Sequence, residues 1–118
     1  MADVGVFRTE EGMEIAVQKV RELKERFKEV RVEDQGKVFN TDLYEAWECG
    51  CLLDVAEVTA VSALKRRESR GAHAREDFPK RLDDEWLKHT LATLKPDGVE
   101  LKYKPVTITH FEPKERVY

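Results

Sequence analysis

The apolar positions divide the chain into two helical stretches followed by a pair of strands. Met13, Ala16, Val20, Leu23, Phe27 and Val30 recur at steps of three and four, while Lys19, Glu22, Lys24, Glu25 and Lys28 fill the opposite side. That period predicts an amphipathic helix over roughly residues 10 to 29. Thr9 stands where an N-cap belongs, and Glu10 and Glu11 put negative charge at the positive end of the helix dipole. Residues 31 to 37, with Asp34-Gln35-Gly36, have turn formers and no apolar period, so they connect.

A second helix is expected over about residues 41 to 69. Asn40, Thr41 and Asp42 all offer caps; Asp42 and Glu45 have the spacing of a capping box, so Asp42 is the expected cap. Between Cys49 and Leu64 this helix is apolar almost all round, through Leu52, Leu53, Val55, Ala56, Val58, Ala60, Val61 and Ala63, with Gly50, Thr59 and Ser62 keeping it slim. Such a helix is covered on more than one side, and the first helix can cover only one.

Beyond Pro79 two readings compete. Asp83, Asp84 and Glu85 open a helix in one. In the other, residues 86 to 94 and 99 to 103 alternate as strands around Pro96-Asp97-Gly98, giving a β-hairpin over about residues 86 to 104. The hairpin fits the alternation better. Residues 105 to 118 then form an extended tail, with Val106 to Thr109 as a short extended piece. The fold expected is mainly α, a single domain over residues 1–118: an antiparallel pair of long helices, a charged linker over residues 70–85, the hairpin and the C-terminal tail.

Composition narrows the function classes. A chain of 118 residues supports one modest core. Charged residues make up 38% and hydrophobic ones 41%, with no run near the roughly 20 apolar residues of a membrane span. With 21 basic and 24 acidic side chains there is no basic excess to displace phosphate counterions, which argues against general nucleic-acid binding. No secretory pattern marks the N-terminus, so a cytoplasmic or matrix setting is expected. Cys49 and Cys51 lie two apart, about 200° around a helix, which precludes a mutual disulfide or shared metal; they read as small buried thiols.

The candidate chemistry is concentrated in residues 65 to 85. Lys65, Arg66, Arg67, Arg70 and Arg75 face the lone acid Glu68, and then Glu76, Asp77, Asp83, Asp84 and Glu85 outnumber Lys80 and Arg81. Two readings stand side by side. Cations suit a helix C-terminus and adjoining opposite runs neutralise each other; alternatively, guanidinium groups hold carboxylates or backbone carbonyls through several fixed donors, as a docking surface needs. The candidate docking set is Arg67, Glu68, Ser69, Arg70, Gly71, His73, Arg75, Glu76 and Asp77, with Gly71 as a left-handed helix terminator. His73, His89 and His110 are too dispersed for a metal site. The glycines form no phosphate cradle, so no cofactor site is expected in the chain itself.

Arg67-Glu68-Ser69-Arg70-Gly71-Ala72-His73-Ala74-Arg75, then Asp83-Asp84-Glu85-Trp86-Leu87-Lys88-His89-Thr90, closely resembles the C-terminal part of the flavoprotein subunit of succinate dehydrogenase and fumarate reductase. Val38-Phe39-Asn40-Thr41-Asp42-Leu43 and the closing Arg116-Val117-Tyr118 extend the likeness over nearly the whole chain. The resemblance implies the last helical part of an enzyme that interconverts succinate and fumarate. FAD and the catalytic residues would lie in upstream domains, so no residue here inherits a catalytic or cofactor-binding role. It implies a flavin-binding domain as neighbour, an iron–sulfur subunit and membrane anchor as partners in the complex, and a peripheral place on the inner face of the membrane. The family's bundle has three helices in a spectrin-repeat-like arrangement; the one that should precede Val4 is replaced by Met1-Ala2-Asp3, so a fragment that self-associates as a homodimer is expected. The alternatives are the equivalent domain of L-aspartate oxidase, which has a related Glu-Ser-Arg-Gly motif, and a free-standing helical interaction module.

Overall fold

Residues 3–114 are described by the computed structural model. The elements run β1 (Phe7–Arg8), α1 (Glu10–Phe27), α2 (Thr41–Lys65), β2 (Ala74–Arg75), a single helical turn α3 (Asp83–Trp86), β3 (Lys88–Lys95) and β4 (Gly98–Pro105). Helix α1 starts where its sequence predicts: Thr9 is extended, and its Oγ1 accepts the Gly12 N–H at 3.2 Å. It stops at Phe27 because Lys28, Glu29 and Val30 donate to the carbonyls three residues back, the tighter pattern that ends many helices.

The cap of α2 is Asn40 rather than Asp42. Asn40 Oδ1 accepts the Leu43 N–H at 2.9 Å, while its amide donates to the Asp34 and Gly36 carbonyls at 2.8 and 3.0 Å. One buried side chain thus closes the connector and starts the helix, leaving Asp42 exposed in the first turn. Helix α2 also ends at Lys65, four residues before its expected limit at 69, where Arg66 turns extended.

The two helices run antiparallel. Lys24 bridges Asp54 and Glu57 at 2.8 and 2.7 Å, Val17 packs with Ala60 and Val61, and the Phe27 ring lies over Gly50. A Cβ on Gly50 would meet that ring at 3.0 Å, so the crossing depends on the missing side chain. Glu57 is buried yet charged: the Lys24 hydrogen bond, aided by Arg21, outweighs desolvation and holds its carboxyl below the usual range.

The hairpin pairs Thr90 with Tyr103, Ala92 with Leu101 and Leu94 with Val99, and lays Val99 and Leu101 against the helix pair. Its first strand begins at Lys88, not at 86, because Trp86 closes α3. Both readings of residues 83 to 94 therefore hold in part: the acidic run opens one helical turn, and the strand follows. A short parallel ladder, Phe7 to Ala74 and Arg8 to Arg75, was not foreseen.

The buried apolar core consists of Met13, Ala16, Val17, Ala60, Val61 and Ala63, a small set for this length. The radius of gyration is 18.2 Å, against about 13–14 Å for a compact domain of this size, and among the described residues the first half of α2 is left largely exposed. Leu43, Tyr44, Trp47, Leu52 and Val55 are exposed along it. Cys49 and Cys51 are exposed as well, correcting the expectation of buried thiols: they flank Gly50, and α1 covers only the strip between them. Among the described residues no third long helix joins the pair, so the expected helix pair and hairpin form and the likeness to an incomplete spectrin-repeat bundle is only loose. Arg116-Val117-Tyr118 lies outside the described residues.

Candidate functional site

The charged run folds into a turn packed below the C-terminus of α2, and its two largest fully buried side chains are Glu68 and Arg75. Burying either charge alone is costly, so each must find several partners. Glu68 accepts from Arg70 Nε and Nη2 at 2.8 and 3.0 Å, from the Leu82 N–H at 2.9 Å, and from Arg66 Nη1. Burial alone would raise its pKa; the hydrogen bonds from Arg70, Leu82 and Arg66 outweigh it and hold the carboxyl below the usual range. Arg70 continues to Asp83 at 2.6 Å, and Arg81 meets the other Asp83 oxygen at 2.7 Å.

Arg75 serves the helix end. Its Nη1 donates to the carbonyls of Leu64 and Arg66 at 3.1 and 3.2 Å, two acceptors left without intrahelical partners where α2 stops. Its remaining donors hold Asp77 bidentately at 2.7 and 2.6 Å, which lowers the Asp77 pKa to about 2. Asp77 then accepts the Glu10 N–H, at the start of α1, at 3.0 Å. The Arg75–Asp77 pair therefore places a cation at the negative end of α2 and an anion at the positive end of α1. The exposed pair Arg67–Glu10, at 3.0 Å, runs alongside.

His73 joins the β1–β2 ladder to the same helix end. Nε2 lies 3.0 Å from the Arg66 carbonyl and Nδ1 lies 2.6 Å from Arg8 Nη1. Only the neutral tautomer protonated on Nε2 satisfies both, since Nδ1 must accept from a guanidinium. Burial first, then the charges of Arg8, Arg75 and Arg66, push the His73 pKa down despite the Arg66 carbonyl. Ser69 Oγ accepts the Arg75 N–H at 2.8 Å and lies 2.9 Å from the Phe78 carbonyl.

Of the predicted set, Glu68, Ser69, Arg70, His73, Arg75 and Asp77 come together in this turn. Arg67 stays exposed on its edge, and the Glu76 side chain faces solvent while its N–H donates to Arg8 at 2.9 Å. Gly71 does have φ +57, but it does not terminate α2; it sits in the tight Arg70–His73 turn, five residues past Arg66. Arg8, Arg66 and Asp83 were not in the set. Arg66 donates to the Trp86 and Lys88 carbonyls and stacks on the Trp86 ring at 5.2 Å, joining helix end to hairpin; its place in the basic run was its only signal. No three His, Cys, Asp or Glu side chains gather as a metal site among the described residues.

A family model described as the C-terminal part of the fumarate reductase flavoprotein matches residues 1–118. The chain belongs to this family. It is 49% identical over 115 residues to the fumarate reductase flavoprotein subunit of Haemophilus influenzae, covering 97% of this chain and 19% of that protein. It is 45% identical over 121 residues to the succinate dehydrogenase flavoprotein subunit of Rickettsia conorii, covering 96% and 20%. A chain of E. coli quinol fumarate reductase superposes with a TM-score of 0.92 at 49% identity, over 98% of this chain and 20% of that one. Mycobacterium smegmatis Sdh1 gives a TM-score of 0.82 at 30% identity, over 91% and 18%. The chain spans about a fifth of the length of these relatives.

Proposed function

We propose that this chain is the C-terminal scaffold and docking segment of an FAD-dependent succinate dehydrogenase or fumarate reductase. The observation that carries this reading is the match of the fumarate reductase flavoprotein C-terminal family over residues 1–118. In the oxidative direction succinate would give up a hydride and a proton to become fumarate, and FAD held by the rest of the subunit would supply the two-electron acceptor chemistry, with an iron–sulfur subunit and a quinone as onward acceptors. FAD and the reacting carboxylates belong to the rest of the subunit. The charged turn contributes rigidity: it ties the C-terminus of α2, the N-terminus of α1 and the base of the hairpin into one block, whose exposed edge at Arg67, Gly71 and Glu76 would meet the flavin-binding domain. The membrane anchor is reached through the full complex, with this chain on the inner face. By itself the chain is inactive and holds no FAD.

The test uses the full subunit reading frame with its iron–sulfur partner. Removing residues 1–118 of this segment should abolish flavin retention and dye-linked succinate oxidation together, while the isolated segment stays colourless. Full activity after the deletion, or stoichiometric flavin on the isolated segment, would overturn the reading. Arg70→Ala in the full subunit should lose flavin or assembly before the succinate KM moves, since Arg70 holds Glu68 and Asp83 rather than substrate.

A further inference from the structure

Phe39 is held in a conformation that costs energy and shows its ring to water. Its φ is +53, a left-handed setting that bulky L residues rarely adopt, and it is 92% exposed. The cause lies next door. Asn40 is buried and fixed by hydrogen bonds to Asp34, Gly36 and Leu43, so the chain must arrive at Asn40 from one direction, and that direction turns Phe39 outward. Nothing in the connector benefits from an aromatic ring there; glycine would take the same φ without strain. Val38 beside it is 76% exposed, and the apolar ridge continues along α2 through Leu43, Tyr44 and Trp47.

We infer that Phe39 and this ridge form an anchor that inserts into an apolar pocket on the remainder of the flavoprotein subunit, separate from the charged turn at the other end of α2. The inference rests on the function proposed above. The occupant follows from two observations. The chain spans only about a fifth of its relatives, so most of the subunit lies outside it and is available as the other half of the contact. The ridge is flanked by Asp42, Glu45 and Glu48, and α2 has no lysine or arginine before Lys65. A second copy of this chain would set those acids against their own like, whereas a pocket rimmed by cations would complement them. Because Asn40 fixes the backbone before contact, docking has only the Phe39 side-chain torsions left to order.

The test compares Phe39→Leu, Phe39→Ala and Phe39→Gly in the full-length subunit, with the wild-type subunit's bound flavin as baseline. An anchor predicts that Ala and Gly both lower the melting temperature, by about 2–4 °C in a subunit about five times the length of this chain, while Leu stays near wild type. In the isolated chain Phe39→Leu and Phe39→Ala should move the melt by no more than a degree or two, and Phe39→Gly should hold or raise it. If Phe39 is merely strained, Gly will equal or exceed wild type in the full subunit, and the inference fails. Loss seen only when the iron–sulfur subunit is bound, or a chain dimer that Phe39→Ala dissociates, would also overturn the stated occupant. A wild-type subunit without flavin would instead overturn the function on which the inference rests.

Discussion

The two ends of α2 contrast. At its C-terminus the chain buries Glu68 and Arg75 almost completely and supplies each with several partners, so a charge-rich segment behaves as a core. At its N-terminus an apolar segment, Phe39 with Leu43, Tyr44 and Trp47, faces water. Hydropathy alone would assign the two ends the other way round. Burial follows the availability of partners: the charged turn finds them within the chain, and the ridge stays exposed among the described residues.

The contrast breaks most sharply at Glu68. Glu68→Ala removes the buried carboxylate shared by the half-buried Arg66 and Arg70 guanidiniums and leaves the Leu82 N–H without its acceptor, a loss of about 3 kcal/mol. Thermal melts of the isolated chain should fall by more than 10 °C, on the order expected from such a loss in a domain of this size; a drop of a degree or two would mean the turn is held by something other than its charges. Asn40→Ala comes next, at about 2 kcal/mol, because it removes a cap and leaves the Asp34 and Gly36 carbonyls without their donor. Asp42→Ala should cost a few tenths at most. Urea titration of the pair decides the matter, and equal losses would return the cap to Asp42.

Acid should dismantle the charged end first. His73 has a lowered pKa in the fold, and so do Glu68 and Asp77; each contributes stability that is whole above its unfolded pKa and lost as pH falls. For His73 the decline begins near pH 6.5, where the unfolded imidazole starts to take a proton that the folded one resists. For Asp77 it runs from about pH 4 down to about 2, worth about 1–2 kcal/mol after allowance for its partial exposure. His73→Gln, which keeps a donor for the Arg66 carbonyl but does not titrate, should flatten the urea midpoint between pH 6.5 and 5 and leave the steeper loss below it. If the mutant and wild type decline together above pH 5, His73 is not the group responsible. The smallest effect belongs to the bare end: Trp47→Gln in the isolated chain should change stability by less than about 0.5 kcal/mol.

Much of the fold was legible because its signals are local. Thr9, the three-and-four spacing of α1, and the alternation around Pro96-Asp97-Gly98 each act within a few residues, and each element formed with its ends shifted by no more than about two residues. The misses all depend on distant partners. Asn40 outcompetes Asp42 because it also reaches Asp34 and Gly36, and α2 stops at Lys65 because Arg75, ten residues on, accepts the role of finishing it. The charged set was recognisable as a unit from its arginines and Gly71. That its chemistry turns inward, with Arg66, Arg8 and Asp83 recruited, was not, since a list of charges carries no information about which side of a turn they occupy. The exposed cysteines are the same lesson in reverse: an apolar circumference states what a helix can bury, not what the chain provides to bury it.

The bond from Glu10 N–H to Asp77 closes a loop of 67 residues, and the β1–β2 ladder closes another of the same span. Contacts this far apart in sequence form late, after both helices and the turn have found each other, because closing a long loop costs entropy before any contact repays it. The start of α1 should therefore be among the last amides to gain protection during refolding. Once formed, the same closure makes the stretch between the helices covalently redundant: a single protease nick near Gln35 would leave two peptides still fastened at Asp77, Arg67 and Lys24, and the nicked protein should migrate as one particle until denaturant separates it.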